Sequence, residues 1–299
     1  MLSTSLGRKM KEMLREAFDG VEPVVIMAGY DAAVVFIQSK EAAFALPPGR
    51  LAGTGFEVTT RFDDPTVQVS ASTDDWPFFY MPKRVYPVSY LALLGMVLLV
   101  AVALTRNFIP ERPSASHASF FLLGAGFMLV ETKAITEMGL TFGSTWQVIG
   151  VVIAGILLMA FLANAVVARF GIQRPQLAFA LLLASLATGY VVMGAGGFPS
   201  TAWGRVATVA LLTSPMFFSG IVFSTLLGAR GAVAAVMAAN LSGAMVGGLL
   251  EYNSMYFGFR FLYLLAMGFY ALAFVHWAVS RRPGTVVLAA PSAALDRAT

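Results

Sequence analysis

Seven long apolar runs fill the last two-thirds of the sequence. Most of them hold close to the ~20 residues that a helix needs to cross ~30 Å of hydrocarbon. The segments between them carry Gly, Pro and Arg, which are typical of loops. The pattern predicts a bundle of about seven transmembrane helices over residues 87–280. The runs are Pro87–Leu104, Ala118–Leu140, Trp146–Val167, Leu177–Met193, Val206–Leu227, Ala232–Leu250 and Phe261–Val279.

The first 86 residues follow a different pattern, with shorter apolar stretches and many charges. Apolar residues at three- and four-residue spacing predict a helix over Leu6–Phe18. Val24–Met27 and Ala33–Ile37 are β-branched runs that predict a hairpin, and Glu57–Phe62 indicates a further short strand. One helix and about three strands are too few to cover both faces of a sheet. Residues 1–86 are therefore predicted to be a soluble, partial α+β domain.

Composition agrees with this division. The chain is 58% hydrophobic and only 12% charged, whereas soluble domains carry about 25% charged residues. The net charge of +4 comes from Arg residues between the apolar runs, as in cytoplasmic loops of membrane proteins. That spread differs from the clustered basic face of a nucleic-acid binder, so no nucleic-acid partner is expected. The last residues, 281–299, are predicted to form a disordered tail.

The residue types exclude several kinds of chemistry. The sequence has no cysteine, which excludes disulfides, thiolate metal sites and cysteine catalysis. Two histidines, His117 and His276, are too few and too far apart to predict a metal site. A Gly-rich nucleotide loop and a G-x-S-x-G elbow are both absent from the sequence. The obvious partner of this chain is the lipid bilayer.

Three charged residues of the second apolar run are candidates for a substrate or ion site. Glu131, Lys133 and Glu137 would each need a partner or water at membrane depth. Lys133 and Glu137 are four residues apart and can pair on one helical face. Glu131 is about 200° around the helix from Lys133, so it needs a different partner. A polar site between helices and a structural ion pair both fit this pattern.

The sixth run carries a second set of candidates. Asn240, Gly247 and Glu251 fall on one helical face, and Gly243 with Gly247 forms a small-xxx-small pair. Such a pair lets another helix approach closely. Asn240 and Glu251 could then serve as packing contacts, or could face Glu131 or Lys133 across a helix interface.

Asp74, Asp75 and Trp76 precede the first apolar run. Two adjacent carboxylates can hold a cation, or can cap a turn ahead of Pro77. Trp76, with Tyr80, Tyr86 and Tyr90, suits an aromatic belt at the membrane surface. The turn is the simpler interpretation of the two aspartates.

Three stretches of the sequence resemble bacterial membrane proteins related to spermidine synthase. They are Thr73–Tyr80, Gly124–Trp146 and Asn240–Tyr252. The resemblance implies a methyltransferase-like α/β domain joined to membrane helices of the bacterial cell membrane. Residues 1–86 would then be the C-terminal end of that domain.

The resemblance lacks the half of the domain that carries the chemistry. In such enzymes an S-adenosyl nucleoside binds at a Gly-rich strand–helix turn, beside catalytic aspartates. No residue here matches those positions, so no catalytic residue is carried over and no cofactor is expected on this chain alone. A second chain with a nucleotide-binding domain would have to supply both. The alternatives are a transporter or channel for a small cation or polyamine, and a structural membrane scaffold.

Overall fold

The computed structural model describes residues 3–28, 33–40, 45–108, 117–143, 145–199, 201–228 and 233–280. Within these ranges the chain is mostly helical, with one small sheet near the N-terminus. The turn of the predicted hairpin at residues 29–31 and the predicted tail, residues 281–299, lie outside the described residues.

The N-terminal segment begins with helix α1, Thr4–Ala17. Ser3 caps this helix, because its Oγ accepts a hydrogen bond from the backbone N–H of Leu6 at 3.2 Å. A serine at this position satisfies one of the free N–H groups of the first turn. Gly7 lies against the ring of Phe62, with no room for a larger residue. The predicted N-terminal helix is confirmed within two residues at its start.

A three-stranded antiparallel sheet follows, in the order β2-β1-β3. The strands are β1 Val24–Ala28, β2 Val34–Ile37 and β3 Phe56–Val58. The predicted β1–β2 pairing is confirmed, with Val24 opposite Ile37. β3 pairs with the other edge of β1 and places Val58 opposite Ile26.

Within the described ranges, six helices are long and apolar enough to cross a membrane. They are α3 Ala118–Phe142, α4 Trp146–Phe170, α5 Gln176–Gly194, α6 Ala202–Gly228, α7 Val233–Leu250 and α9 Phe261–Ser280. A 3-10 turn at Glu251–Asn253 and the short helix α8, Ser254–Phe257, continue α7. These helices make the chain a multi-pass helical membrane protein.

The first predicted span is the exception among the seven. It forms helix α2, Val88–Phe108, which is as long as several of the others, although only Val88–Ala103 enters the comparison of spans, as a shorter apolar helix. Six candidate spans among the described residues roughly match the bundle of about seven helices that the apolar runs predicted.

The chain divides into two compact units. The N-terminal unit contains Met1–Ile109, Thr132–Gly150 and Leu249–Leu264, and the helical unit contains Pro110–Glu131, Val151–Gly248 and Leu265–Thr299. α3, α4, α7 and α9 contribute residues to both. Each unit has its own buried side chains and is considered separately below.

Candidate functional site

Trp76 is the centre of a contact network in the N-terminal unit. Its side chain is fully buried, and its indole N–H donates a 2.7 Å hydrogen bond to the carbonyl of Met255. A tight turn brings it there, because the Trp76 backbone N–H donates to both the carbonyl and the Oγ of Thr73. Trp76, predicted to suit an aromatic belt, thus has its ring covered by other parts of the protein.

Lys9 reaches this network from α1. Its Nζ donates hydrogen bonds of 2.8 Å to the carbonyls of Phe78 and Met81 and lies 4.2 Å from the centre of the Trp76 ring. The side chain is fully buried, and this burial lowers the pKa of Lys9 to about 8. Three carbonyl or π contacts suit an ammonium group that has left water.

Sequence reasoning missed Lys9, although a signal was present. Lys9 follows Leu6 by three residues and precedes Met13 by four, so it lies on the apolar face of the amphipathic helix. A lysine on that face must find an internal partner.

The two aspartates have different roles. Asp75 accepts hydrogen bonds from two backbone N–H groups that precede α9. Its backbone carbonyl accepts from the N–H of Phe259 at 2.8 Å, and its Oδ1 accepts from the N–H of Arg260 at 2.6 Å. Gly258, with φ of 92°, allows this approach, because a side chain there would collide with the Asp75 carboxylate. Asp74 is exposed.

A turn forms ahead of Pro77, with the two aspartates at its central positions. Thr73, and not either aspartate, caps the turn at Trp76. The carboxylate of Asp75 instead lies at the N-terminal end of α9, where a negative charge is favourable.

Aromatic pairs extend the network along the loop that follows α7. Phe78 stacks on Phe259 with ring centres 5.4 Å apart, and Tyr86 stacks on Tyr256 at the same distance. Tyr90 lies 5.5 Å from Tyr252. Two of the predicted belt tyrosines therefore contact partners within the protein, and Tyr80, which is 57% exposed, is the most open of the set.

The predicted ion pair of α3 forms. Lys133 Nζ lies 2.5 Å from Glu137 Oε1, and the Lys133 side chain is only 3% exposed. The rings of Phe259 and Tyr263 lie 5.9 and 5.4 Å from the ammonium. Lys133 is therefore enclosed by one carboxylate and two aromatic rings.

The remaining carboxylates are less firmly held. Glu251 Oε2 accepts a 3.2 Å hydrogen bond from Thr132. Glu131 is half-buried on α3, and no described residue hydrogen-bonds or ion-pairs with it. The structure thus connects Lys133, Glu137 and Glu251 to neighbours within the N-terminal unit.

Asn240 belongs to the helical unit. There the predicted small-residue contact is confirmed, because a side chain at Gly243 or Gly247 of α7 would collide with the carbonyl of Phe121 or Ala125 of α3. Asn240 itself lines a cavity of about 260 Å³ between α3, α4, α6 and α7.

The polar wall of that cavity was not foreseen. Asn164 and Ser224 lie on it together with Asn240 and Ser219, and the Ser224 hydroxyl donates to the Asn164 amide oxygen. The sequence signal for this wall was the presence of amide and hydroxyl side chains within apolar runs. The prediction concentrated on charged residues, so most of these side chains were not selected.

The described residues include no cluster of three or more His, Cys, Asp or Glu side chains that could hold a metal ion. In the N-terminal unit, charged groups, hydrogen bonds and stacked rings hold chain segments together, and the helical unit contains a cavity lined by uncharged residues. These features belong to a multi-pass helical membrane protein. No protein-family model, curated protein or solved structure matches the chain.

Proposed function

We propose that this chain is the membrane-embedded portion of a spermidine synthase-like protein, which anchors a catalytic partner and is inactive alone. The observation that supports this proposal concerns the contacts that residues of the three resembling stretches make. Parts of all three stretches that carry the resemblance lie in the N-terminal unit, and several of their polar groups form hydrogen bonds within that unit.

The first stretch contributes Asp75 and Trp76, which bind Arg260 and Met255. The second contributes Thr132, which binds Glu251 of the third. A catalytic or ion-conducting site needs polar groups that are free to meet a substrate. Groups that bind each other instead fix the positions of the chain segments.

The partner in this proposal is a second chain with a nucleotide-binding domain. The small sheet supports it, because β2 and β3 each have one edge without a strand partner among the described residues. Val35 on β2 is 44% exposed and Val58 on β3 is 55% exposed. Open edges of this kind are templates for pairing with another chain.

Calorimetry tests the proposal directly. Purified chain in detergent is titrated with S-adenosylmethionine and with spermidine, alone and together with a co-purified polypeptide that carries a nucleotide-binding domain. We expect nucleoside binding only when the second polypeptide is present. Binding of the nucleoside by this chain alone would contradict the proposal.

A pair of variants locates the contact. Adding charge at the open edges, with Val35→Lys and Val58→Lys together, should weaken association with the second polypeptide by about tenfold or more, because a charge opposes strand pairing. Ala17→Lys together with Glu16→Gln changes the charge by the same amount at the exposed end of α1 and should leave association unchanged. Equal weakening by both would exclude the sheet edges as the contact.

A structural scaffold is the second candidate, and the buried Lys133–Glu137 pair favours it. A scaffold predicts charges that are paired with each other and away from water. If neither nucleoside nor spermidine binds in either format, the scaffold becomes the better proposal. Spermidine binding by the chain alone that is lost in Glu131→Gln or Glu251→Gln would instead favour transport.

A further inference from the structure

The cavity of the helical unit has a neutral polar wall. All ten described residues that line it are uncharged, and four of them carry an amide or a hydroxyl. Phe127 and Phe223 supply aromatic surface on the same cavity. A lining without carboxylates offers nothing to neutralise a cation, so charged ligands would pay the full cost of leaving water.

The hydrogen-bonding capacity of the wall is partly unused. Among the described residues, none is a hydrogen-bond partner of the half-buried Asn240 amide. The Asn164 amide oxygen accepts from Ser224, which leaves its NH₂ group as a donor. An unsatisfied amide is costly where lipid replaces water. Both asparagines therefore favour an occupant with an oxygen acceptor.

The position of the cavity indicates its source of ligands. Phe127 lies in the first ten residues of α3 and Asn240 in the first eight of α7, whereas Asn164 and Ser224 lie in the last seven of α4 and α6. Helices rise 1.5 Å per residue, so the cavity lies roughly 6–14 Å from these helix ends. Met237 on its wall is 39% exposed, on a surface that a bilayer would cover.

We infer that this cavity is a binding site for a small neutral amphiphile, with an apolar body and a carbonyl or hydroxyl oxygen, taken from the bilayer. A volume of about 260 Å³ equals roughly nine water molecules at ~30 Å³ each. It suits a short chain or ring, or one end of a lipid. The apolar body would contact Phe127 and Phe223, and its oxygen would accept from Asn164 or Asn240.

The native chain has no cysteine, so Ser224→Cys introduces a single thiol into the cavity wall. The rate of its reaction with N-ethylmaleimide is followed by mass spectrometry, in detergent and in phosphatidylcholine nanodiscs. Hexan-1-ol and hexylammonium are the competing probes, because they share a chain length and differ in charge. Thr188→Cys on α5, which is exposed and does not line the cavity, is the control.

We expect hexan-1-ol in detergent to slow labelling of Ser224→Cys as its concentration rises, by about fivefold at roughly four times its dissociation constant, and hexylammonium to leave it unchanged. Asn240→Leu in the same background should reduce the protection, because it removes one of the two amide donors on the wall. Labelling that is slow in nanodiscs from the start, and only at Ser224→Cys, would support the same site with a lipid as the occupant.

Three outcomes would overturn the inference. They are equal protection by hexylammonium, protection of Thr188→Cys to the same degree, and a Ser224→Cys thiol that is unreactive or never protected in either medium. The third would mean that the cavity is closed or holds only water. Elution of each variant as a single folded species on size exclusion is required before labelling.

Discussion

In the N-terminal unit, side chains far apart in sequence bind each other through charge, hydrogen bonds and stacked rings. In the helical unit, backbones meet directly at glycines. Lys9, Trp76 and Asp75 make the first kind of contact, and Gly243 and Gly247 make the second.

The difference follows from what competes with each contact. The N-terminal unit includes the charge-rich first 86 residues. Burying a polar group there is unfavourable unless a partner replaces its hydrogen bonds to water. Apolar side chains in a bilayer gain little by leaving lipid, so helices associate through close packing of small residues. Substitutions that remove polar contacts should therefore destabilise the N-terminal unit. Substitutions that add side-chain volume should destabilise the helical unit.

The largest expected effect comes from breaking the buried ion pair. Lys133→Met leaves the Glu137 carboxylate without its cation, which should lower the free energy of unfolding by about 3–5 kcal/mol. The double variant Lys133→Met/Glu137→Gln removes both charges and should recover most of that loss. Unfolding by denaturant titration in detergent measures both. A double variant no more stable than the single one would show that Lys133 does not stabilise the protein through its ion pair with Glu137.

Added volume should act on the helical unit. Gly243→Ala places a methyl group on the carbonyl of Phe121, and overpacking of this kind costs about 1–3 kcal/mol. Gly268 of α9 has open space around it, so Gly268→Ala should be neutral or stabilising by up to about 1 kcal/mol. Thermal unfolding in the same detergent compares them. Equal loss at both positions would mean that helix contact at Gly243 is not specific.

The sequence predicted the elements that depend on local pattern. Apolar runs of about 20 residues mark helices because each run must cross hydrocarbon. Continuous β-branched runs on either side of a turn predicted the pairing of β1 with β2. The Lys133–Glu137 ion pair and the close helix approach at Gly243 and Gly247 were also predictable, since each depends on the spacing of two residues on one helix.

The contacts of the N-terminal unit could not be predicted in this way. Asp75 and Arg260 are 185 residues apart, and Trp76 and Met255 are 179 apart. No periodicity connects such positions, because the pairing depends on how the helices return to the same place. The cavity was missed for the same reason, since its polar wall draws on three separate helices.

A smaller effect should separate the two adjacent aspartates. Asp75→Ala removes a carboxylate that accepts from the Arg260 backbone N–H before α9, and loss of such a capping contact costs about 1–2 kcal/mol. Asp74 is exposed, so Asp74→Ala should change stability by no more than about 0.5 kcal/mol. Thermal unfolding of the two single variants makes the comparison. If Asp74→Ala proves the more damaging, the assignment of the α9 contact to Asp75 is wrong.

The smallest expected effect is the pH dependence of Lys9. Burial lowers the pKa of Lys9 in the folded chain to about 8, from the 10.5 of a free lysine. Between these values the unfolded state binds more protons, so stability rises with pH. The carbonyls of Phe78 and Met81 favour the charged form and limit the gain. We expect the Tm of the wild-type chain to rise relative to Lys9→Met by about 2–4 °C from pH 8 to 10, or about 1 kcal/mol.

Lys11 on the same helix provides the control for this measurement. Burial lowers the pKa of Lys11, but hydrogen bonds and charge from Asp63 and Glu22 outweigh it and raise the pKa above its usual value. Lys11 therefore stays charged over this range, and Lys11→Met should show the same rise as the wild-type chain. If the Tm difference between wild type and Lys9→Met stays flat or falls with pH, burial does not disfavour the charged ammonium of Lys9. The polar contacts of the N-terminal unit would then stabilise that charge as well as water does.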